Sequence, residues 1–180
     1  MSFAPLPDFF RALLIVTSCI AGMIDLLSRR IPNWLTLSAL AAGIASRGFD
    51  QGMGGLATAA KGLGLALAVY IPLWLLRAIG AGDVKLMAAL GAIAGPGPWL
   101  LIFVASSITG GIVGLVMAAR RGLLTRTFNN TATIAAELLR FRTPWRDRPE
   151  LDVGHKDALR MPHGAIIAAG VLLVAAAKLI

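Results

Sequence analysis

Long apolar blocks separated by short connections run through most of this chain, and no other feature limits its fold as severely. Inside a bilayer the backbone N–H and C=O groups find no water, so a spanning segment must be a helix or part of a closed barrel. The blocks are continuous rather than alternating, which selects helices. Six stand out, near 9–28, 33–48, 56–78, 84–95, 98–119 and 162–179. The second and fourth are short against the roughly 20 residues a hydrocarbon core requires. The fourth can be a half-span packed inside the bundle, or local thinning of the bilayer can accommodate both. Only 14% of residues are charged, against about 25% in soluble domains. The expected fold class is therefore all-α: a polytopic integral membrane protein of about six transmembrane helices, in a single membrane-embedded domain over residues 1–180.

The first block lacks a basic lead-in and runs into Asp25 and Arg29-Arg30 with no small-residue cleavage site. It is expected to be a retained span, not a signal peptide. The single cysteine, Cys19, excludes an intramolecular disulfide and a CxxC zinc site, and within an apolar helix it reads as a small hydrophobe. Gly95, Pro96, Gly97 and Pro98 predict a tight turn between blocks four and five. Gly91/Gly95 and Gly110/Gly114 have the GxxxG spacing that lets helix backbones approach closely.

A net charge of +8 would suggest nucleic acid in a soluble protein. Here the basic residues flank apolar spans, so membrane topology accounts for them and no nucleic-acid partner is expected. Arg29 and Arg30 sit in the first connection, Arg77 and Lys85 at the third, and nine basic residues in the fifth, from Arg120 to Arg160. The second and fourth connections hold almost none, Arg47 and Lys61 being the exceptions. By the positive-inside rule the odd connections are cytoplasmic and both termini face outward. The 120–160 connection is the one sizeable polar segment. Leu124, Phe128, Leu138 and Phe141 lie among its basic and polar residues, which suits either an amphipathic helix on the leaflet or an ordinary solvated one.

Nine acidic residues are present; five lie in the long basic connection, and Asp8 and Asp50 fall at or beyond outer helix ends. That leaves Asp25, ending the first span, and Asp83, opening the fourth. An ionisable group in the membrane costs roughly 2.5–3.5 kcal/mol on insertion scales, so both are functional candidates. Each also has a structural explanation. Asp25 can pair with Arg29 one turn on, and Asp83 can act as a helix N-cap. Those explanations do not account for both acids lying on one membrane face. Two close carboxyls do not ionise together cheaply, so a pair shares one proton. The ionised partner then deprotonates water while the protonated one donates to a peptide carbonyl, chemistry that needs no metal or cofactor. Gly80 and Gly82 lack side chains, which leaves room for a peptide backbone beside Asp83.

Three stretches resemble the type IV prepilin leader peptidases, polytopic aspartic proteases of the GxGD type. They are DLLSRRIPN (25–33), GAGDVKLMAALG (80–91) and MPHGAIIAAG (161–170). The resemblance implies removal of prepilin leader peptides at the cytoplasmic membrane face, after a glycine that precedes the pilin's apolar helix. Asp25 and Asp83 take the two catalytic positions. The long insertion with paired cysteines that larger bifunctional members carry between spans one and two is missing. The chain thus resembles the short branch serving Flp-type (tight-adherence) pili, and N-methyl transfer lies outside what the resemblance implies. The implied partners are a prepilin substrate and the lipid bilayer, in the bacterial cytoplasmic (inner) membrane; a homo-oligomer is left open.

Further residues belong to these motifs. Pro32 and Asn33 are expected to start span two, with Asn33 as its N-cap. Lys85 is expected to snorkel, to tune Asp83 or to bind substrate. Pro162 and Gly164 open the last span. His163 stands where the family resemblance leads one to expect an aromatic residue, and a helix-start or packing role suits it. Trp34, Trp74 and Trp99 lie near block ends, as interface anchors do. Two other functions fit a small acid-bearing membrane protein: a proton- or ion-coupled transporter with the acids as a relay, or a non-catalytic pilus or secretion assembly subunit.

Overall fold

In the computed structural model the described residues are 6–139 and 161–180, and they are helical without strands. Among the described residues six helices follow in order: α1 (Asp8–Ser28), α2 (Asn33–Leu75), α3 (Ala81–Ala94), α4 (Pro96–Arg120), α5 (Leu124–Leu139) and α6 (His163–Ala176). Three of them, α1, α2 and α4, are long and apolar enough to cross a membrane, and α6 is a shorter apolar helix. Large apolar side chains such as Phe9, Met23 and Leu27 of α1 and Ile108 and Ile112 of α4 are exposed on the outside of the bundle. Such a surface requires a lipid environment, and the chain is a membrane protein.

The short fourth block is the hub. α3 has 14 residues, a length of roughly 21 Å at 1.5 Å per residue, well below a hydrocarbon core. Every residue from Leu86 to Gly95 is buried, and α3 packs against α1, α2, α4 and α6. A helix apolar all round has this place in a bundle.

α2 spans two expected blocks. The intervening stretch, read from sequence as a connection, is helical apart from Gly52, whose φ of 57° and ψ of −136° break the helix. Glycine reaches that conformation without a steric penalty. The chain reverses there. Gly43 before the break packs on Ile93 and Gly62 after it meets Gly91 backbone to backbone, although a straight helix would separate residues 43 and 62 by about 28 Å. Gly62 approaches the backbone of both Gly91 and Gly95, the close contact expected of that pair, and Gly95 (φ 79°) is also the break between α3 and α4.

Two basic and aromatic assignments change. Arg47 does not reach for an aqueous loop. It is buried, donating from Nε and Nη2 to the Ile93 carbonyl (3.1 and 2.9 Å) and from Nη2 to that of Ala94 (2.9 Å). Those are carbonyls a helix C-terminus leaves without partners, at the negative end of its dipole. The guanidinium also lies 4.3 Å from the centroid of Phe10. Trp99 is no interface anchor either: it is 0% exposed and donates from Nε1 to the Met87 carbonyl at 3.0 Å. It stacks on Phe103, with Tyr70 edge-on to both, which ties the second half of α2 to α4. Trp34 and Trp74 are exposed near helix ends, as expected.

The expected helix after Arg120 is present as α5, the most amphipathic of the six; Phe141, His155 and the rest of 140–160 lie outside the described residues. Cys19 is half-buried in α1.

Candidate active site

The segment 25–33 is shaped by a helix end and a helix start placed close together. α1 stops at Arg29, which is left-handed at φ 54° and donates its amide to the Asp25 carbonyl at 2.9 Å. Pro32 keeps Ile31 extended and is itself the N-cap of α2, so Asn33 is the first helical residue rather than the cap. Asn33 uses its side chain elsewhere: its Oδ1 accepts from Lys85 Nζ at 2.9 Å. Lys85 thereby straps the start of α3 to the start of α2. Ile31 sits against Gly82, where an added Cβ would stand 3.2 Å from Ile31 Cβ. The bare face of Gly82 thus admits the α1–α2 connection.

Asp83 is not an N-cap. Gly80 holds that position, and Asp83 is the third residue of α3, its Oδ2 accepting the Gly80 amide at 3.2 Å. Asp25 is held similarly by a different helix. Its Oδ2 accepts the amide of Gly164 at 2.9 Å, and Gly164 is the second residue of α6, after the N-cap Pro162. Each acid therefore binds a backbone amide at a helix N-terminus, where the dipole favours negative charge. Gly164 has to be small. A Cβ there would lie 2.9 Å from Asp25 Cβ and 3.3 Å from the Ala21 carbonyl oxygen.

Asp25 and Asp83 are 7% and 8% exposed. They lie within electrostatic range of each other, and His163 and Tyr70 lie within range of Asp83. The segments 25–33, 80–85 and 161–164 are thus gathered at one end of α3, opposite the end capped by Arg47. His163 is the first residue of α6, with Nδ1 3.2 Å from the Met161 carbonyl oxygen. That is the helix-start position expected of it, and it adds an imidazole beside Asp83.

A cavity of about 450 Å³ opens on this end, with Asp83, His163 and Tyr70 in its wall. The rest of the lining is apolar or small: Ser106, Gly110, Gly111 and Gly114 of α4, Thr127 and Thr131 of α5, and Ile166 and Ile167 of α6 among them. Sequence reasoning missed Tyr70 and Ser106. Tyr70 was open to detection as the chain's one tyrosine, a phenol inside an apolar block; nothing sets Ser106 apart from the other hydroxyl residues of α4.

The arrangement is two buried carboxylates, each anchored through one oxygen, of which Asp83 and not Asp25 lines an apolar cavity of a size that suits small ligands. No curated protein and no solved structure matches the chain. The family model for the type IV leader peptidase family matches residues 12–115, which include both Asp25 and Asp83. With more than half of its length matched, the chain belongs to the type IV leader peptidase family, aspartic peptidases that cleave prepilin leader peptides.

Proposed function

We propose that Asp25 and Asp83 are the catalytic pair, and that the protein removes the leader of Flp-type prepilins at the cytoplasmic face of the bacterial inner membrane. The carrying observation is that both acids are buried, fixed to helix-terminal amides and within electrostatic range of each other. Like charges in such a site favour a pair sharing one proton. In the reaction the ionised carboxylate takes a proton from water, and the hydroxyl oxygen adds to the scissile carbonyl carbon. The other carboxyl gives its proton to the carbonyl oxygen. The tetrahedral diol then collapses: the leaving amine takes the proton held by the first acid as the C–N bond breaks, and the second carboxylate takes back a diol hydroxyl proton as the product carbonyl forms. No metal or cofactor enters these steps.

The cytoplasmic assignment is supported by charge: Arg29, Arg30, Arg77 and Lys85 lie at the end that carries both acids. With that orientation the two halves of α2 count as separate passes, the chain makes six membrane-embedded segments, and both termini face outward in one domain. The Flp branch is supported by the short connection between α1 and α2, only 29–32.

The test is coexpression with an Flp-type prepilin, following leader removal. Asp25→Asn and Asp83→Asn, each alone, are expected to abolish processing while the protein still inserts. Processing that persists in either variant rejects the pair.

A further inference from the structure

We propose that Gly111, on α4, sets the size limit for the apolar residues that follow the scissile bond of the substrate. The inference rests on the catalytic reading of Asp83 given above. Gly111 lines the same cavity as Asp83, and an added Cβ there meets nothing within 4 Å. Its neighbours in that wall are different: a Cβ on Gly110 would press on Ile166, and one on Gly114 on Met161. Packing inside the protein therefore explains Gly110 and Gly114 and leaves Gly111 unexplained. A glycine in a helix interior weakens the helix relative to any ordinary residue. Gly111 is itself exposed, and the space its missing side chain leaves open borders the cavity whose wall includes the candidate catalytic carboxylate.

The wall also holds an unpartnered hydroxyl. Ser107 and Thr109 return their hydroxyls to the carbonyls of Phe103 and Ala105, each at 2.8 Å. Ser106 makes no such bond; it is 4% exposed, and its Oγ, lying in the seam with Gly170, is the one buried side-chain polar atom without a partner among the described residues. A hydroxyl without a partner is costly in an apolar wall, but this Oγ is enclosed in the α4–α6 seam against Gly170 and is not open to the cavity.

Charge identifies the occupant. Asp83 is the one carboxylate in the lining, and beyond Asp83 and His163 the wall holds only apolar, glycine and hydroxyl groups. That suits the apolar segment after the cleaved bond, not a charged leader. A volume of about 450 Å³ accommodates a few residues of peptide and not a whole helix, so the segment enters locally unwound.

The experiment uses the full chain in membranes with two prepilins, one natural and one with the apolar residues after the scissile bond replaced by alanine. Gly111→Leu is expected to lower cleavage of the natural substrate about tenfold or more, mainly through KM, and to cleave the alanine substrate at near the parental rate. Gly111→Ala falls between. Gly64→Leu, on α2 at a helical glycine that also faces open space but lies outside the cavity, is expected to leave both substrates unaffected. Undiminished cleavage of the natural substrate by Gly111→Leu overturns the proposal. So does equal loss on both substrates, which assigns the effect to the enzyme's fold. In either case the catalytic reading stands if Asp25→Asn and Asp83→Asn remain inactive; activity in those variants removes both.

Discussion

Asp25 and Gly164 touch across 139 positions of sequence: the glycine amide donates to Asp25 Oδ2 at 2.9 Å, and an added Cβ would stand 2.9 Å from that of the acid. Real Cβ contacts do not come that close, so any side chain at 164 must push α1 and α6 apart. The neighbouring surface is rigid backbone at Ala21, with no flexible tip to yield. Displacing a reacting group by an ångström costs on the order of a hundredfold in rate. Gly164→Ala is expected to lower leader removal about tenfold to a hundredfold, and Gly164→Val to lower it further, with membrane insertion retained. Immunoblotting of processed against unprocessed prepilin, beside the level of inserted enzyme, checks it.

The same contact separates the acid's two roles. Asparagine at 25 keeps an oxygen for the Gly164 amide, whereas alanine leaves that buried donor without a partner, at about 1–3 kcal/mol. Both variants are expected to be inactive, yet Asp25→Asn should melt close to the parent in detergent and Asp25→Ala distinctly lower. Equal melting temperatures would show that the amide finds another acceptor.

At the other end of α3, Arg47 holds the Ile93 and Ala94 carbonyls with three donated bonds. Removing a charged donor from buried acceptors costs about 2–3 kcal/mol for the bonds. Arg47→Met is therefore expected to lower thermal stability markedly, and Arg47→Lys to restore only part of it, since an ammonium lacks the planar fork that reaches both carbonyls. Protein that remains folded should process prepilin normally, because Asp83 lies a helix length away. A large loss of specific activity at full stability would contradict this division of labour.

Apolar runs mark depth in a membrane, and that part of the fold was readable from residues alone. The first block, 9–28, matches Asp8–Ser28, and the last two embedded blocks lie within a few residues of Pro96–Arg120 and His163–Ala176. Depth says nothing about facing. Arg47 and Trp99 sit near block ends, where snorkelling and interface anchoring are the usual fates, but both turn inward to satisfy carbonyls of α3. The Gly-rich stretch around 52 looked like a loop for a similar reason. Gly55 is there so that its helix can pass against the Arg47 carbonyl, and only Gly52 breaks the helix. The two aspartates were legible because carboxylates in apolar blocks are rare. Their anchors were not, since backbone amides carry no sequence signature.

Lys85 and Asn33 offer the clearest test of what a motif residue does beside an active site. Three roles suit a lysine two residues after Asp83, and the geometry favours a fourth: Nζ donates to Asn33 Oδ1 at 2.9 Å and joins the starts of α2 and α3. The contact is exposed, so its worth is modest, about 1 kcal/mol or less. If the strap is the role, Lys85→Gln, which keeps a donor, should retain activity within about fivefold. Lys85→Met and Asn33→Leu should each lower leader removal, and the double variant should be no worse than either, because both changes break one shared bond. A lysine acting through its charge on Asp83 gives another pattern: Lys85→Gln as damaging as Lys85→Met, with Asn33→Leu nearly silent. Initial rates for the four enzymes on one prepilin distinguish the two.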